Sequence, residues 1–263
     1  MFKEYGELST MVYEHTKPVG HSIDGDIEYY SEKLKNLHGR VLEAGVGTGR
    51  MLIPLAKSGI VVDGVDISGE MLGKCRENMK KHGVTADLYE QDLTALSLPC
   101  KYDAIIMPTG SFCLLPRPRI RETLTLFHNH LNEGGRLIVD LEMPVGFREG
   151  ETKACSFPMS ADAGILLSSF SEKMDWLAQS TSYISRYELI EKGKVTKTEI
   201  SNFVLYWYGV AEFEMLLAHS GFEGIKHETG YGNVEQSQLV TFTAFKENRI
   251  NCIDHGTQRH CQA

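Results

Sequence analysis

Several features that mark particular classes of protein are missing from this sequence. Positive charge is scarce: 27 Lys and Arg stand against 35 Asp and Glu, so the net charge of −8 offers no basic field for a phosphate backbone. No segment approaches the ~18 uninterrupted apolar residues of a membrane-spanning helix. Residues 1–15 lack a basic stretch followed by an apolar one, the pattern of a secretory leader. We therefore expect a cytoplasmic protein with neither a nucleic acid nor a membrane as its partner.

Cysteines are few and widely scattered, and no two are spaced C-x-x-C. This distribution is typical of reduced thiols rather than of a disulfide framework. Cys252, His255, His260 and Cys261 can in principle bind zinc, but their spacing matches no zinc pattern. We predict no metal site and interpret the polar, aperiodic residues 247–263 as a flexible tail. The six cysteines are Cys75, Cys100, Cys113, Cys155, Cys252 and Cys261.

Short apolar runs rich in β-forming residues alternate with helical patterns over residues 39–141, which is typical of parallel strands joined by helices. A helix over 210–222 and two further strands follow later in the chain. The fold class is therefore α/β with a doubly wound sheet, and 42% apolar residues can fill its core. The seven strands are predicted over residues 40–45, 60–66, 85–92, 102–108, 135–142, 222–230 and 238–246.

The segment between the fifth and sixth of these strands has a different composition. Residues 164–207 are rich in Thr, Ser, Tyr, Val and Ile, and "EKGK" at 191–194 is typical of a hairpin turn, so we predict inserted antiparallel strands. Before the first strand, a helix from Asp24 and a shorter one ahead of it form a cap that can cover a ligand. The predicted division is a helical cap (1–38), a core (39–145 and 208–246), an antiparallel β insertion (146–207) and the tail (247–263).

The stretch "VLEAGVGTGR", residues 41–50, carries the clearest functional signal. A dinucleotide-binding loop is spaced G-x-G-x-x-G because pyrophosphate sits at the helix N-terminus behind it. Here Gly45, Gly47 and Gly49 alternate, and Glu43 precedes them by two residues. A carboxylate beside a phosphate is electrostatically unfavourable, whereas it suits a ligand with an ammonium group.

The same stretch resembles the E/D-x-G-x-G-x-G motif of class I S-adenosylmethionine-dependent methyltransferases. Further resemblances follow in order over residues 36–142 and, more weakly, over 209–246. The resemblance implies S-adenosylmethionine as cofactor and a Rossmann-like seven-stranded sheet of order 3-2-1-4-5-7-6, with the last strand antiparallel. Glu133 replaces the proline of the family's L-x-P-G-G turn, a small departure.

The resemblance also implies roles for individual residues. Asp66 at the end of the second strand would bind both ribose hydroxyls, and Asp92 after the third strand would face the adenine amino group. Each has a structural alternative: Asp66 as a helix-start residue, Asp92 as a loop carboxylate, Met71 as core packing and the three glycines as a tight turn. The implied cofactor-binding residues are Tyr13, Glu43, Ala44, Gly45, Gly47, Thr48, Gly49, Asp66, Ile67, Met71, Asp92 and Leu93. The implied substrate-binding residues are Thr109, Ser111 and Phe112.

No catalytic residue is identified by its sequence pattern. Methyl transfer from a sulfonium depends mainly on alignment and exclusion of water, although a general base helps when the acceptor is a hydroxyl or a protonated amine. His15 and Tyr13 in the N-terminal cap are weak candidates for that base, and Tyr13 can also make a cation–π contact. His128 lies in a helical pattern that favours a surface or core side chain over a base.

The acceptor is predicted to be a small molecule, methylated on N or O. "MPTG" at 107–110 stands where methyltransferases acting on nucleobase amines carry an NPPY-type tetrapeptide. The insertion is a substrate wall or an interface for a homo-oligomer; its aromatic cluster could line a pocket or simply pack. A regulatory protein that binds S-adenosylmethionine without catalysis stays open, and the loop spacing disfavours an NAD-dependent oxidoreductase. The aromatic cluster is Tyr183, Tyr187, Phe203, Tyr206, Trp207 and Tyr208.

Overall fold

The computed structural model describes residues 5–231 and 237–248, and the predicted tail from residue 249 onward lies outside them. Within the described ranges no helix is both long enough and apolar enough to span a membrane. The helices are α1 (Glu7–Thr16), α2 (Asp26–Leu34), α3 (Leu52–Lys57), α4 (Gly69–His82), α5 (Ile120–His130) and α6 (Val210–His219). The strands are β1 (Val41–Ala44), β2 (Val62–Asp66), β3 (Leu88–Glu90), β4 (Tyr102–Met107), β5 (Leu131–Glu142), β6 (Thr152–Pro158), β7 (Ala163–Asp175), β8 (Ser180–Glu191), β9 (Lys194–Tyr206), β10 (Phe222–Thr229) and β11 (Leu239–Lys246).

Seven of these strands form one sheet in the order β10-β11-β5-β4-β1-β2-β3. Strands β1 to β5 are parallel where they pair, and β11 is antiparallel to both β5 and β10. Four inserted strands take the numbers 6 to 9 along the chain. When only the strands of this sheet are counted, the order is the expected 3-2-1-4-5-7-6, so the predicted α/β fold class is confirmed.

The central strands are buried on both faces. In β4, Ile105 and Met107 join a core layer with α5 and α6, while Ala104 and Ile106 join the opposite layer with α2, α3 and α4. Since successive side chains of a strand point to opposite faces, a strand covered on both sides must be apolar throughout. The near-continuous apolar runs of the sequence have this cause.

Local signals set the ends of the helices beside the sheet. The Ser68 side chain accepts a hydrogen bond from the Met71 backbone N–H at 3.2 Å and so forms the N-cap of α4. Gly83 ends that helix with a φ of +67°. Pro116 precedes a short 3-10 turn, Arg117–Arg119, that leads into α5.

The insertion is a four-stranded antiparallel sheet in the order β6-β7-β8-β9. Lys192 and Gly193 both have positive φ angles at the β8–β9 turn, as a two-residue hairpin requires, and the predicted turn at 191–194 is confirmed. Strand β6 was not predicted. It is an edge strand whose side chains are nearly all exposed, so its sequence "TKACSFP" carries no alternation of apolar and polar residues.

Helix α1 connects the insertion to the core. Gly6 precedes it and has no side chain for capping, so Glu199 of β9 accepts hydrogen bonds from the backbone N–H groups of Leu8 (2.9 Å) and Ser9 (3.2 Å). On the other side, Asn78 of α4 donates to Glu14 at 3.1 Å. A carboxylate is favourable at a helix N-terminus, and here it comes from a distant strand.

Replacing Glu199 with Gln should loosen α1 from the insertion. The amide has one acceptor oxygen and no charge, so we expect a loss of about 1–2 kcal/mol in the free energy of unfolding. Urea unfolding measures this loss, and hydrogen exchange over residues 7–16 should become faster. The control is Glu7→Gln, which breaks the exposed Glu7–Lys197 pair between the same two elements. It should cost at most about 1 kcal/mol; equal effects of the two substitutions would contradict the capping role.

Candidate functional site

A cavity of about 210 Å³ lies at the carboxyl ends of the parallel strands, where open α/β sheets bind ligands. Loops after β1, β2, β3 and β4 form its walls, and α1 covers it. A larger, open depression of about 620 Å³ lies beside Lys57 and Asp87, away from the glycine loop. The smaller cavity is the better candidate because the predicted residues meet there. Its lining residues are Tyr5, Tyr13, Gly45, Gly47, Asp66, Ile67, Met71, Asp92, Leu93, Met107, Ser111, Leu114, Leu115 and Pro116.

The three glycines of the loop have different surroundings. All three have φ angles between +55° and +82°, which favour glycine over other residues. Gly45 and Gly47 line the cavity, and a Cβ on Gly47 would meet nothing within 4 Å. A Cβ on Gly49 would lie 2.8 Å from the Cys75 sulfur. Gly49 therefore serves close packing against α4, and the other two let the backbone approach the cavity.

The carboxylate of Asp66 is held at the cavity wall by two loops. One oxygen accepts a hydrogen bond from the Gly47 backbone N–H at 2.9 Å, and the other accepts from the Ser68 N–H at 2.9 Å. Burial raises the pKa of Asp66, and these N–H donors oppose the shift. Each oxygen retains acceptor capacity for a ligand hydroxyl.

Four more predicted residues line the same cavity. Ile67 is 62% exposed, which is unusual for an isoleucine and leaves its side chain open to a ligand, whereas Met71 is 2% exposed and packs into the core as well. Asp92 accepts a hydrogen bond from the Thr94 N–H at 2.8 Å and starts a 3-10 turn that contains Leu93. Met71 can therefore both pack in the core and contact a ligand, and Asp92 can both start the 3-10 turn and face the cavity.

Glu43 lies beneath the glycine loop and does not line the cavity. It is 4% exposed, and its Oε2 atom has no hydrogen-bond partner in the part of the chain that the structure describes. Burial raises its pKa to about 8, although the nearby Arg50 opposes this shift. An unpaired buried carboxylate oxygen is costly, so a cationic ligand would stabilise it. Ala44 and Thr48, also predicted to bind the cofactor, are fully buried and do not line the cavity either.

Arg50, which sequence reasoning missed, links the glycine loop to the N-terminal cap. Its guanidinium pairs with Asp26 of α2 and donates to the His21 carbonyl at 2.7 Å. Both side chains of the ion pair are buried. Tyr13 lies close enough that Arg50 opposes the rise that burial causes in the tyrosine pKa. The only sign of this role in the sequence is that Arg50 directly follows Gly49, the last glycine of the loop.

A second cavity, of about 400 Å³, adjoins the first between α1 and the insertion sheet. The two share Tyr5, Tyr13, Ser111 and Leu114 as lining residues. Thr109 also lines the second cavity, with a φ of +55° that is strained for a threonine. Its N–H donates at 2.7 Å to the buried Asp140, which also accepts from Tyr231 and Thr241 and so holds this conformation.

Two residues, Phe112 and His15, do not lie where the sequence placed them. Phe112 is fully buried and packs edge-to-face on Phe213 at a centroid distance of 5.1 Å, so it belongs to the core and lines neither cavity. His15 is exposed, packs against Phe157 of β6 and lines neither cavity. His128 packs on Phe222, as its helical pattern favoured. Tyr13, in contrast, lines both cavities.

The aromatic cluster of the insertion divides into three groups. Tyr183, Tyr187 and Phe203 line the 400 Å³ cavity. Tyr206 and Trp207 line a smaller neighbouring one of about 130 Å³. Tyr208 is fully buried beneath the Arg117 guanidinium. Half of the cluster therefore faces the 400 Å³ cavity.

Among the described residues, no group of three or more His, Cys, Asp or Glu side chains could hold a metal ion.

Comparison with known sequences finds similarity in the segment that carries this site. Residues 41–135 match the family described as methyltransferase domain. A glycine/sarcosine N-methyltransferase from Halorhodospira halochloris is 35% identical over 117 residues, which are 43% of this chain and 44% of that relative. A phosphatidylethanolamine N-methyltransferase from Cereibacter sphaeroides is 30% identical over 104 residues, 38% of this chain and 49% of the relative. The chain thus spans less than half the length of these curated relatives.

Comparison with solved structures extends the similarity of fold to the insertion. A sugar N-methyltransferase from Streptoalloteichus has a TM-score of 0.76 and 17% identity, covering 94% of this chain and 96% of that one. An amino pentose methyltransferase from Micromonospora, solved with S-adenosylmethionine bound, has a TM-score of 0.68 and 17% identity, covering 94% and 99%. At these identities the likeness concerns the fold.

Replacing Glu43 with Gln should change how stability depends on pH. The folded protein holds the Glu43 proton up to about pH 8, against an ordinary value of 4.5, so the stabilising effect of that proton is complete at acid pH and is lost as pH rises through 8. Glutamine has no such loss. Wild type should therefore lose stability relative to Glu43→Gln by at most about 1.4 kcal/mol per pH unit over this window.

Urea unfolding of both proteins at about pH 5 and about pH 8 measures the difference. Glu77→Gln on the exposed side of α4 is the control and should show no such trend, because its side chain is 71% exposed. A constant gap between wild type and Glu43→Gln at both pH values would argue against the buried, protonated state.

Proposed function

We propose that this chain, which contains a methyltransferase domain of the class I S-adenosylmethionine-dependent type, transfers a methyl group to N or O of a small molecule. One observation carries the proposal: two cavities adjoin at the carboxyl ends of the strands and share Tyr13 and Ser111. The first contains the residues typical of a cofactor site. The second is large enough for a small acceptor and lies directly beside it.

The residues present fit the cofactor. Asp66 offers two fixed carboxylate oxygens for the ribose hydroxyls, and Ile67, Asp92 and Leu93 would hold the adenine. The ammonium of the methionine portion, once bound, would favour the ionised form of Glu43, whose Oε2 has no hydrogen-bond partner among the described residues. Bound there, the cofactor supplies a methyl group activated by a positively charged sulfur. The Tyr13 ring, at the junction of the cavities, can face that charge.

The chain's own contribution is alignment and exclusion of water. Helix α1 covers both cavities and is held by Glu199 from the insertion and by Asn78 from the core. A closed, shaped site converts the encounter of two reactants into an aligned one, which can supply most of the rate without a covalent nucleophile. The relative from Halorhodospira halochloris is named for methylation of glycine and sarcosine, which supports a small-molecule acceptor.

The division into cap, core, insertion and tail stays a prediction, as does assembly into a homo-oligomer through the insertion. Trp176 and Leu177, at the turn between β7 and β8, are 73% and 99% exposed. A contact between copies of the chain would cover them.

An assay for methyl transfer separates the proposal from the regulatory alternative, in which the chain binds S-adenosylmethionine without catalysis. Labelled S-adenosylmethionine is incubated with amines, phenols, thiols and carboxylates, and transfer of label to any of them supports the proposal.

Replacing Asp66 with Ala should weaken binding of S-adenosylmethionine. A hydrogen bond to a charged group contributes about 1.5–3 kcal/mol, which corresponds to a loss of affinity of about tenfold or more. Calorimetry with S-adenosylmethionine measures it, and NAD, titrated in parallel, should not bind to wild type.

Asp92→Ala is the matched comparison, because Asp92 lines the same cavity at the next strand end. It should reduce affinity less than Asp66→Ala does. Unchanged affinity in Asp66→Ala would remove the ribose role, and tight binding of NAD to wild type would favour the oxidoreductase alternative.

A further inference from the structure

The 400 Å³ cavity has two charged residues among its described lining residues, Lys17 and Glu142. Lys17 is the C-cap residue of α1, and Glu142 is the last residue of β5. Within the described ranges no ion pair joins them within 4.0 Å; the Lys17 ammonium instead lies 5.2 Å from the centroid of the Tyr13 ring. A carboxylate therefore faces the cavity without a direct cationic partner.

Both charges are held in surroundings that disfavour them. Burial lowers the pKa of Lys17 and raises that of Glu142, although each charge favours the other's charged form. The other titratable groups close to Glu142 are Tyr183 from β8 and Cys113 from the 3-10 turn after β4, and both are neutral in their ordinary state. A cation entering the cavity would thus meet one carboxylate, Glu142, and one lysine, Lys17, whose charged form is disfavoured by burial.

Hydroxyl groups line the same cavity as this carboxylate. Thr109 and Ser111 come from the loop after β4, and Ser169 and Ser185 come from the insertion sheet. The Oε2 atom of Glu142 lies close to Gly110, because a Cβ added to that glycine would be 3.3 Å from Oε2. Gly110 stands between Thr109 and Ser111 in the sequence. Ser111 also lines the cofactor cavity, so Glu142 is next to the junction at which transfer would occur.

We propose that Glu142 binds the protonated amine of the methyl acceptor, so that the substrate class is a small, hydroxyl-bearing amine. This inference rests on the proposed function and narrows it from N or O to N. The carboxylate forms a charge-assisted hydrogen bond with the ammonium, and the serine and threonine hydroxyls pair with polar groups of the acceptor. A neutral alcohol in the same place gains no such ionic contact.

The same carboxylate can take up the proton that blocks an amine from reacting. One N–H bond of the ammonium breaks and an O–H bond forms on Glu142, while the nitrogen keeps the electron pair of the broken bond. That pair is the lone pair that accepts a methyl group. Because the pKa of Glu142 is raised, the carboxylate is a stronger base than a glutamate with its ordinary pKa.

The test uses matched pairs of probes that differ only in an amine or a hydroxyl: glucosamine with glucose, and tyramine with tyrosol. Their dissociation constants are measured by saturation-transfer NMR on the full chain loaded with S-adenosylhomocysteine. Wild type is compared with Glu142→Gln and with the exposed control Glu77→Gln. In wild type and in the control, at least one amine should bind about tenfold more tightly than its alcohol. In Glu142→Gln that difference should disappear while the affinity for the alcohol is unchanged.

The affinity for S-adenosylhomocysteine is measured on each protein first. If wild type does not bind it, the proposed function fails and the amine inference with it. If all variants bind it within about twofold, an altered fold does not explain the result for Glu142→Gln. Absence of an amine preference in every pair, or a preference that persists in Glu142→Gln, would overturn the role of Glu142 and leave the cofactor site untouched.

Discussion

The arrangement of the site depends on a buried ion pair between Arg50 and Asp26. Arg50 directly follows the glycine loop, and Asp26 begins the helix before the first strand, so the pair joins the ligand loop to the cap. Removing one partner of a buried pair leaves an uncompensated charge and typically costs about 3–5 kcal/mol. The loop and the cap are therefore stable only together. The same guanidinium lies near Glu43 and Tyr13, and its positive charge opposes the rise that burial causes in the pKa of each.

Two carboxylates near the site have raised pKa values: Glu43, buried on β1 before the glycine loop, and Glu142, which lines the 400 Å³ cavity. Burial disfavours the negative charge of each group in the free protein, so a bound cation would stabilise the ionised form of each. Under the proposed function the cofactor's ammonium would serve Glu43, and a protonated acceptor would serve Glu142. Tyr13, which faces both cavities, would then lie between two positively charged partners, a position suited to an aromatic ring.

The short apolar runs of the sequence predicted the strands, and the resemblance that Gly45, Gly47, Asp66 and Asp92 at their ends helped to reveal supplied the order of the sheet. Sequence reasoning failed where long-range contacts decide. Phe112 follows a strand tip but turns into the core, and His15 points to solvent because α1 is oriented by Glu199, 184 residues further along (199 − 15). Glu142 was not singled out, since a glutamate at a strand end is ordinary until the insertion sheet is seen to line the same cavity.

A crystal structure with S-adenosylhomocysteine bound tests the central claim most directly. The account predicts the adenosine in the 210 Å³ cavity, with both ribose hydroxyls on Asp66 and the amino group of the homocysteine portion on the Glu43 side of the glycine loop. Its sulfur should face the cavity that contains Glu142. Adenosine bound away from Asp66, or the carboxylate end of the ligand placed against Glu43, would contradict it.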